Sequence, residues 1–205
     1  MSRFIYVKEK SLTPSLTSKI LEVYNTLCVY NDCIYNGTNE FNIPTVCNVL
    51  LHTKNYEKTN EQYSFLLKLR QKLGAELKEN FYKYLLEIST QNNIEYNKIM
   101  GFNINFEKND YIINNRYINT NNIVEKEHQF PEIGQTRHLR ICKYIWFLTD
   151  YNGEIQICNT KLTPKKGTLL MYPISWVCPV IENINKGTDI YVLYGYINHH
   201  LKQKN

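Results

Sequence analysis

No stretch of this 205-residue chain approaches the roughly 18 consecutive apolar residues that a membrane-spanning helix requires. The N-terminus, Met1 to Lys8, has no apolar core of the kind a secretory signal needs. These two absences lead to the expectation of an intracellular, cytoplasmic protein with no membrane contact. Paired cysteines are missing as well. Cys28, Cys33, Cys47, Cys142, Cys158 and Cys178 are scattered and form no Cys-x-x-Cys, which argues against a zinc site. Without secretion they read as small buried hydrophobes, mostly reduced. Long basic runs are absent too. Net charge is +5, but the densest stretches, Lys161 to Lys166 and the tail from Lys202, are short. Nucleic acid is therefore not an expected partner. With no internal repeat and no break in composition, one domain over 1–205 is expected.

What is present is enough to fold. Hydrophobic residues make up 43% and charged residues 21%, outside the range of disordered chains. A chain of this length can also close a sizeable core. Lys, Asn, Ile and Tyr are abundant, with 17 Tyr. Their codons are AT-rich, so the bias points to a genome rather than a mechanism, with a large DNA virus as the expected source. Single Asn and Lys residues carry little weight for that reason.

Two periods divide the chain. Phe4 to Val7 alternates weakly, as a first strand would. Thr13-Pro14 reads as a cap followed by proline at the first helical position, and Leu16, Ile20, Val23, Tyr24 and Leu27 continue a helical stripe. From Asn31 to Asn60 the chain is polar, with Asn36-Gly37 and Pro44, and reads as a loop-rich connection holding a short strand near Thr45 to Leu51. A long helix follows from Asn60 to Thr90, with Leu66, Leu69, Leu73, Leu77, Phe81 and Leu85 on one face. Beyond Asn92 the pattern turns to strands: Tyr111–Ile118, Leu139–Leu148, Glu154–Cys158, Thr168–Tyr172 and Ile190–Ile197. Helices first and strands second predict an α+β domain. Residues 1–100 form a helical support region, and residues 101–198 form a jelly-roll core with the helices packed on one sheet.

The strand half carries a series of landmarks in order. Arg140 to Asp150 reads RICKYIWFLTD and is followed by Asn152-Gly153-Glu154. Leu162 to Pro173 reads LTPKKGTLLMYP, and Ser175-Trp176, Pro179 and Tyr191 to Tyr196 come after it. These landmarks resemble the central strand, Gly-Gly-Glu turn, Pro-x-x-Gly turn and final strands of the prolyl-4-hydroxylase-like iron(II)/2-oxoglutarate dioxygenases. The resemblance runs from Tyr111 to Ile197. It implies a double-stranded β-helix in which two histidines and a carboxylate hold iron(II). It also implies an Arg or Lys that pairs with the far carboxylate of 2-oxoglutarate, since an unpartnered buried carboxylate is costly.

Matched to that pattern, the chain departs at each of these positions. The His-x-carboxylate motif becomes His128-Gln129-Phe130 in one register and Glu127-His128-Gln129 in the other, and neither pair is intact. The second histidine falls on Val180, which cannot bind a metal, and the anchor cation on Ile190, preceded by Asp189. His128 is the best remaining ligand candidate, with Glu127, Glu132 and His138 nearby in sequence. A polar loop accounts for the same residues. Tyr117 resembles the family tyrosine of the co-substrate pocket, and a plain core aromatic reads the same way. Lys143 alternates with Ile141, Ile145 and Phe147. Such a lysine reaches into the barrel as a replacement anchor or, the plainer expectation, snorkels at a sheet edge or faces solvent.

The resemblance thus implies a dioxygenase-like protein that has lost catalysis, needs no cofactor and acts as a binding or structural module for a protein partner. The alternative is an active dioxygenase with non-standard ligands, using iron(II) and 2-oxoglutarate to hydroxylate a protein side chain or a nucleic-acid base. A third reading is an unrelated jelly-roll binder, which a different sheet order would reveal.

Overall fold

A computed structural model describes residues 4–30, 34–38, 44–50, 61–93, 95, 104–106, 109, 111–116, 122–125, 138–174, 180–184 and 190–200. Helix α1 spans Pro14–Tyr30. The Leu16 amide donates to Thr13 Oγ1 at 3.3 Å, so Thr13 caps the helix as its sequence predicts. Helix α2 spans Glu61–Asn92, and its stripe from Leu66 to Leu85 is buried. No described helix is long and apolar enough to cross a membrane.

The strands are β1 (Tyr6–Lys8), β2 (Ile34–Thr38), β3 (Pro44–Leu50), β4 (Ile112–Arg116), β5 (Asn122–Glu125) and β6 (His138–Phe147). After them come β7 (Gly153–Ile157), β8 (Thr160–Leu162), β9 (Leu169–Pro173), β10 (Val180–Ile184) and β11 (Ile190–His200). They form a seven-stranded sheet, β1-β9-β6-β11-β4-β3-β2, and a four-stranded sheet, β5-β10-β7-β8. Every pairing among the described residues is antiparallel.

Alternation sends side chains of the large sheet into two separate cores. Cys142, Tyr144, Trp146, Met171 and Leu193 join the helix residues Ile20, Leu73, Leu77 and Phe81 in one cluster. Ile145, Phe147, Leu170, Ile190 and Val192 face the small sheet and meet Tyr151, Ile155, Ile157 and Val180 in another. The layers are therefore helices, large sheet and small sheet, as an α+β jelly roll with helices on one sheet requires.

Several elements differ from the sequence expectation. The stretch around Asn36-Gly37, read from the sequence as part of a loop-rich connection, belongs to β2 and pairs with β3, with a register slip between Asn36 and Thr38. Strands β1, β2 and β3 of the first hundred residues join the large sheet. Strands β5 and β8 are not anticipated; both are short edges, too brief to show an alternating pattern, whereas β10 follows Pro179, where the resemblance implies one of the final strands. Cys158 is also not a buried thiol. It is exposed in the β7–β8 turn at φ 53° and is disulfide-bonded. Cys142 fits the expectation, free and fully buried.

The Pro-x-x-Gly turn ties the N-terminal segment to the barrel. The Gly167 amide donates to the Phe147 carbonyl at 2.7 Å, and its own carbonyl accepts from the Leu12 amide at 3.0 Å. Gly167 sits at φ +83°, and a Cβ there would lie 2.6 Å from the Leu12 carbonyl oxygen. Only glycine meets both demands.

Candidate functional site

The space between the sheets changes character along its length. Val180, 1% exposed, and Ile190, 0% exposed, sit on opposite sheets yet belong to the same apolar cluster. Val180 pairs with Ile157 across β7, and Ile190 opens β11 opposite β4. Their neighbours in the cluster include Phe147, Leu170 and Val192. Glu182 lies two residues beyond Val180 on the same face of β10, is 1% exposed, and accepts a hydrogen bond from the Tyr151 hydroxyl at 3.1 Å. The sequence reading passed over Glu182. Its signal was the V-I-E-N-I alternation of β10, which places a carboxylate inward once that strand is recognised.

On the inward face of the large sheet stands Lys143, 2% exposed. It does not snorkel at an edge. Strand β6 is flanked on both sides, and Lys143 is opposite Tyr172 on β9 and Tyr196 on β11. Its ammonium lies 5.5 Å from the Tyr194 ring centre and 5.9 Å from that of Tyr196, within the range of a cation–π contact.

A bulge alters the strand just before it. Ile197 pairs with Cys142 but Asn198 with Arg140, so Ile141 is an extra residue with no partner position on β11. Ile141 then packs with the helix-side cluster, beside Cys142, instead of alternating onto the barrel face with Lys143. One residue earlier, Arg140 arrives on the barrel face, its guanidinium 4.0 Å over the Tyr196 ring. Bulges commonly re-aim a side chain in this manner. Behind the sheet, burial pushes the Cys142 thiol far above its ordinary range, so it is held neutral in the core.

Among solved structures, three of the similar ones make the fold recognisable. A viral collagen prolyl hydroxylase from Paramecium bursaria chlorella virus 1, in a 2-oxoglutarate complex, is 9% identical; the match covers 97% of both chains with a TM-score of 0.56. A prolyl-4-hydroxylase from Pseudomonas putida is 10% identical over 98% of this chain and 95% of its own, also at 0.56. The Arabidopsis thaliana dioxygenase for auxin oxidation, in a 2-oxoglutarate complex, is 10% identical over 97% and 84%, at 0.58. The chain has the fold of the prolyl-4-hydroxylase-like 2-oxoglutarate/iron(II) dioxygenases. No family model matches the sequence, and no curated protein matches it either.

Within this prolyl-hydroxylase-like fold, the described residues do not fit the family's iron or co-substrate at the two positions assigned from the sequence. Val180 and Ile190 offer only buried aliphatic groups there. Glu127, His128, Gln129, Phe130, Glu132 and Tyr117 lie outside the described residues, as do Ser175, Trp176 and Pro179. His138 opens β6, where its backbone pairs with His200. Among the described residues, no group of three or more His, Cys, Asp or Glu side chains is placed to hold a metal. What the barrel does hold is a buried lysine, a bulge-directed arginine and a row of tyrosines, and only Lys143 and the aromatic character of that row were visible in the sequence.

Proposed function

We propose that this chain keeps a dioxygenase fold but has lost catalysis, and that it acts as a binding or structural module with a protein partner. The observation that carries this reading is the burial of Val180 and Ile190 in one apolar cluster between the sheets. Two aliphatic side chains so placed each add about 1.5–3 kcal/mol of burial. They supply neither a metal ligand nor a counter-charge for a dicarboxylate. On this reading the two positions form filled core in place of an open co-substrate pocket. No cofactor is required on this reading, nucleic acid is not the partner, and the protein works inside the cell.

The test is an anaerobic titration with iron(II) and 2-oxoglutarate, followed in the visible region. The expected outcome is no charge-transfer band. Appearance of the band, and its loss in His128→Ala, would establish instead an active dioxygenase with non-standard ligands.

A further inference from the structure

We propose that the Asn152-Gly153 turn is a self-modification site, where the Asn152 side chain converts through a cyclic imide to a β-linked isoaspartyl residue. The turn carries the chain from β6 of the large sheet to β7 of the small sheet. Asn152 is exposed within it, and Gly153 follows at φ 154°. That angle is open to glycine and strained for a residue with a Cβ, so the turn requires the very residue that leaves its amide nitrogen unshielded. In the first step the Gly153 nitrogen attacks Asn152 Cγ. A new N–Cγ bond forms, the Cγ–Nδ2 bond breaks, and ammonia leaves with the proton of the Gly153 amide. Water then opens the ring at either carbonyl. One opening gives aspartate, and the other gives a backbone that runs through the side-chain carbon. Water is the only other reactant, and no electron changes hands.

The chain contains an internal comparison, because Tyr35-Asn36-Gly37 repeats the residues of Tyr151-Asn152-Gly153. Asn36 lies inside β2, opposite Cys47 of β3. Attack requires the backbone to rotate toward the asparagine side chain, and a laddered strand opposes that rotation more than an exposed turn does. The surroundings of Asn152 decide what its product does. Before it, Asp150 Oδ1 accepts from the Lys166 amide at 2.9 Å, and the Tyr151 amide donates to the Pro164 carbonyl at 3.0 Å. The buried Tyr151 ring meets Phe147 edge-on, and its hydroxyl donates to Glu182 at 3.1 Å. After it, Gly153 and Glu154 face Ile184 and Asn183 of β10. The turn is held at both ends, and an isoaspartyl link adds one backbone carbon between them. Tyr151 is the nearest anchor, so the added length draws its hydroxyl from Glu182 and loosens the hold of one sheet on the other.

Incubation of the full chain in mildly alkaline buffer tests the site, followed by peptide mapping with a fragmentation that separates isoaspartate from aspartate. Asn152 is expected to convert about ten-fold faster than Asn36, since a turn opens more readily than a paired strand. Isoaspartate is the expected major product. The aged protein should melt about 2–6 °C below the fresh one, the effect of losing one buried hydrogen bond in a chain of this size. Asn152→Gln, whose longer side chain disfavours the ring, is expected to abolish both changes and to melt with the parent when fresh. Tyr151→Phe should melt low when fresh and fall no further with age. Should Tyr151→Phe not fold, Asn152→Gln at the exposed position still decides the matter. An Asn152 that stays intact, or that converts no faster than Asn36, would overturn the site. Conversion with no change in melting would overturn its effect on the two sheets.

Discussion

Replacing Ile190 by arginine puts a charge at the position to which the sequence resemblance assigns the anchor cation, and it should remove much of this protein's margin of stability. Ile190 is fully buried, with Phe147, Val180 and Val192 in the same cluster. Removing the aliphatic side chain forfeits about 1.5–3 kcal/mol of apolar burial. Leaving a guanidinium uncompensated in its place adds roughly 3–5 kcal/mol more, part of which the long side chain recovers by bending toward water. A net cost of about 4–6 kcal/mol is the reasonable expectation, against a total of about 5–15 kcal/mol for a typical domain. For a chain of this size each kcal/mol lowers the midpoint by about 2–4 °C. Thermal and urea denaturation followed by circular dichroism should therefore show a fall on the order of 10–20 °C for Ile190→Arg. Ile190→Val should cost only about 0.5–1.5 kcal/mol. If Ile190→Arg melts within about 2 °C of the parent, the surroundings of Ile190 contain water or a counter-charge. The claim that this position is filled core would then be wrong.

Other consequences can be checked in the same way. Gly167→Ala should destabilise by about 2–4 kcal/mol in urea titrations, because alanine meets both an unfavourable φ and the Leu12 carbonyl. Burial, aided by the negative charges of Glu87, Glu76 and Glu79, pushes the Tyr6 hydroxyl up to about 12. The folded state then holds a proton that the unfolded chain releases near pH 10. The contribution is complete below pH 10 and disappears as pH rises through about 12, a loss of roughly 2–3 kcal/mol that Tyr6→Phe should abolish in pH-dependent unfolding. Native iodoacetamide labelling followed by mass spectrometry should leave Cys142 unmodified, since it is buried and neutral, and should find Cys158 bridged until a reductant is added.

The fold was legible because its signals are local and redundant. The cap at Thr13, the long stripe of α2 and the alternation of β6 and β11 each survive without knowledge of the rest of the chain. The site was legible only in part. Spacing identified Val180 and Ile190 as apolar, and burial is what apolar residues at inward positions do. Lys143 was harder, since alternation assigns a face but does not say whether a strand is central or at an edge. That depends on β9 and β11, which approach from other parts of the chain. The displacement of Arg140 by a single extra residue is a property of strand pairing, so no reading of β6 alone would find it. Glu182 falls between the landmarks Pro179 and Tyr191, neither of which marks it.

The pairing order has a consequence for how the chain is made. Strand β1 leaves the ribosome well before β9, its partner among the described strands, which does not begin until Leu169. At about 5–20 residues per second, that wait is on the order of ten seconds or longer. The large sheet is divided meanwhile, with β1, β9 and β6 on one side and β4, β3 and β2 on the other. Among the described strands, only β11 bonds to both β6 and β4. Until Ile190–His200 is synthesised, the nascent protein carries two half-sheets with open edges, each a template for pairing with another chain. Its yield in a cell should therefore depend on translation speed and on whatever shields those edges before the last strand arrives.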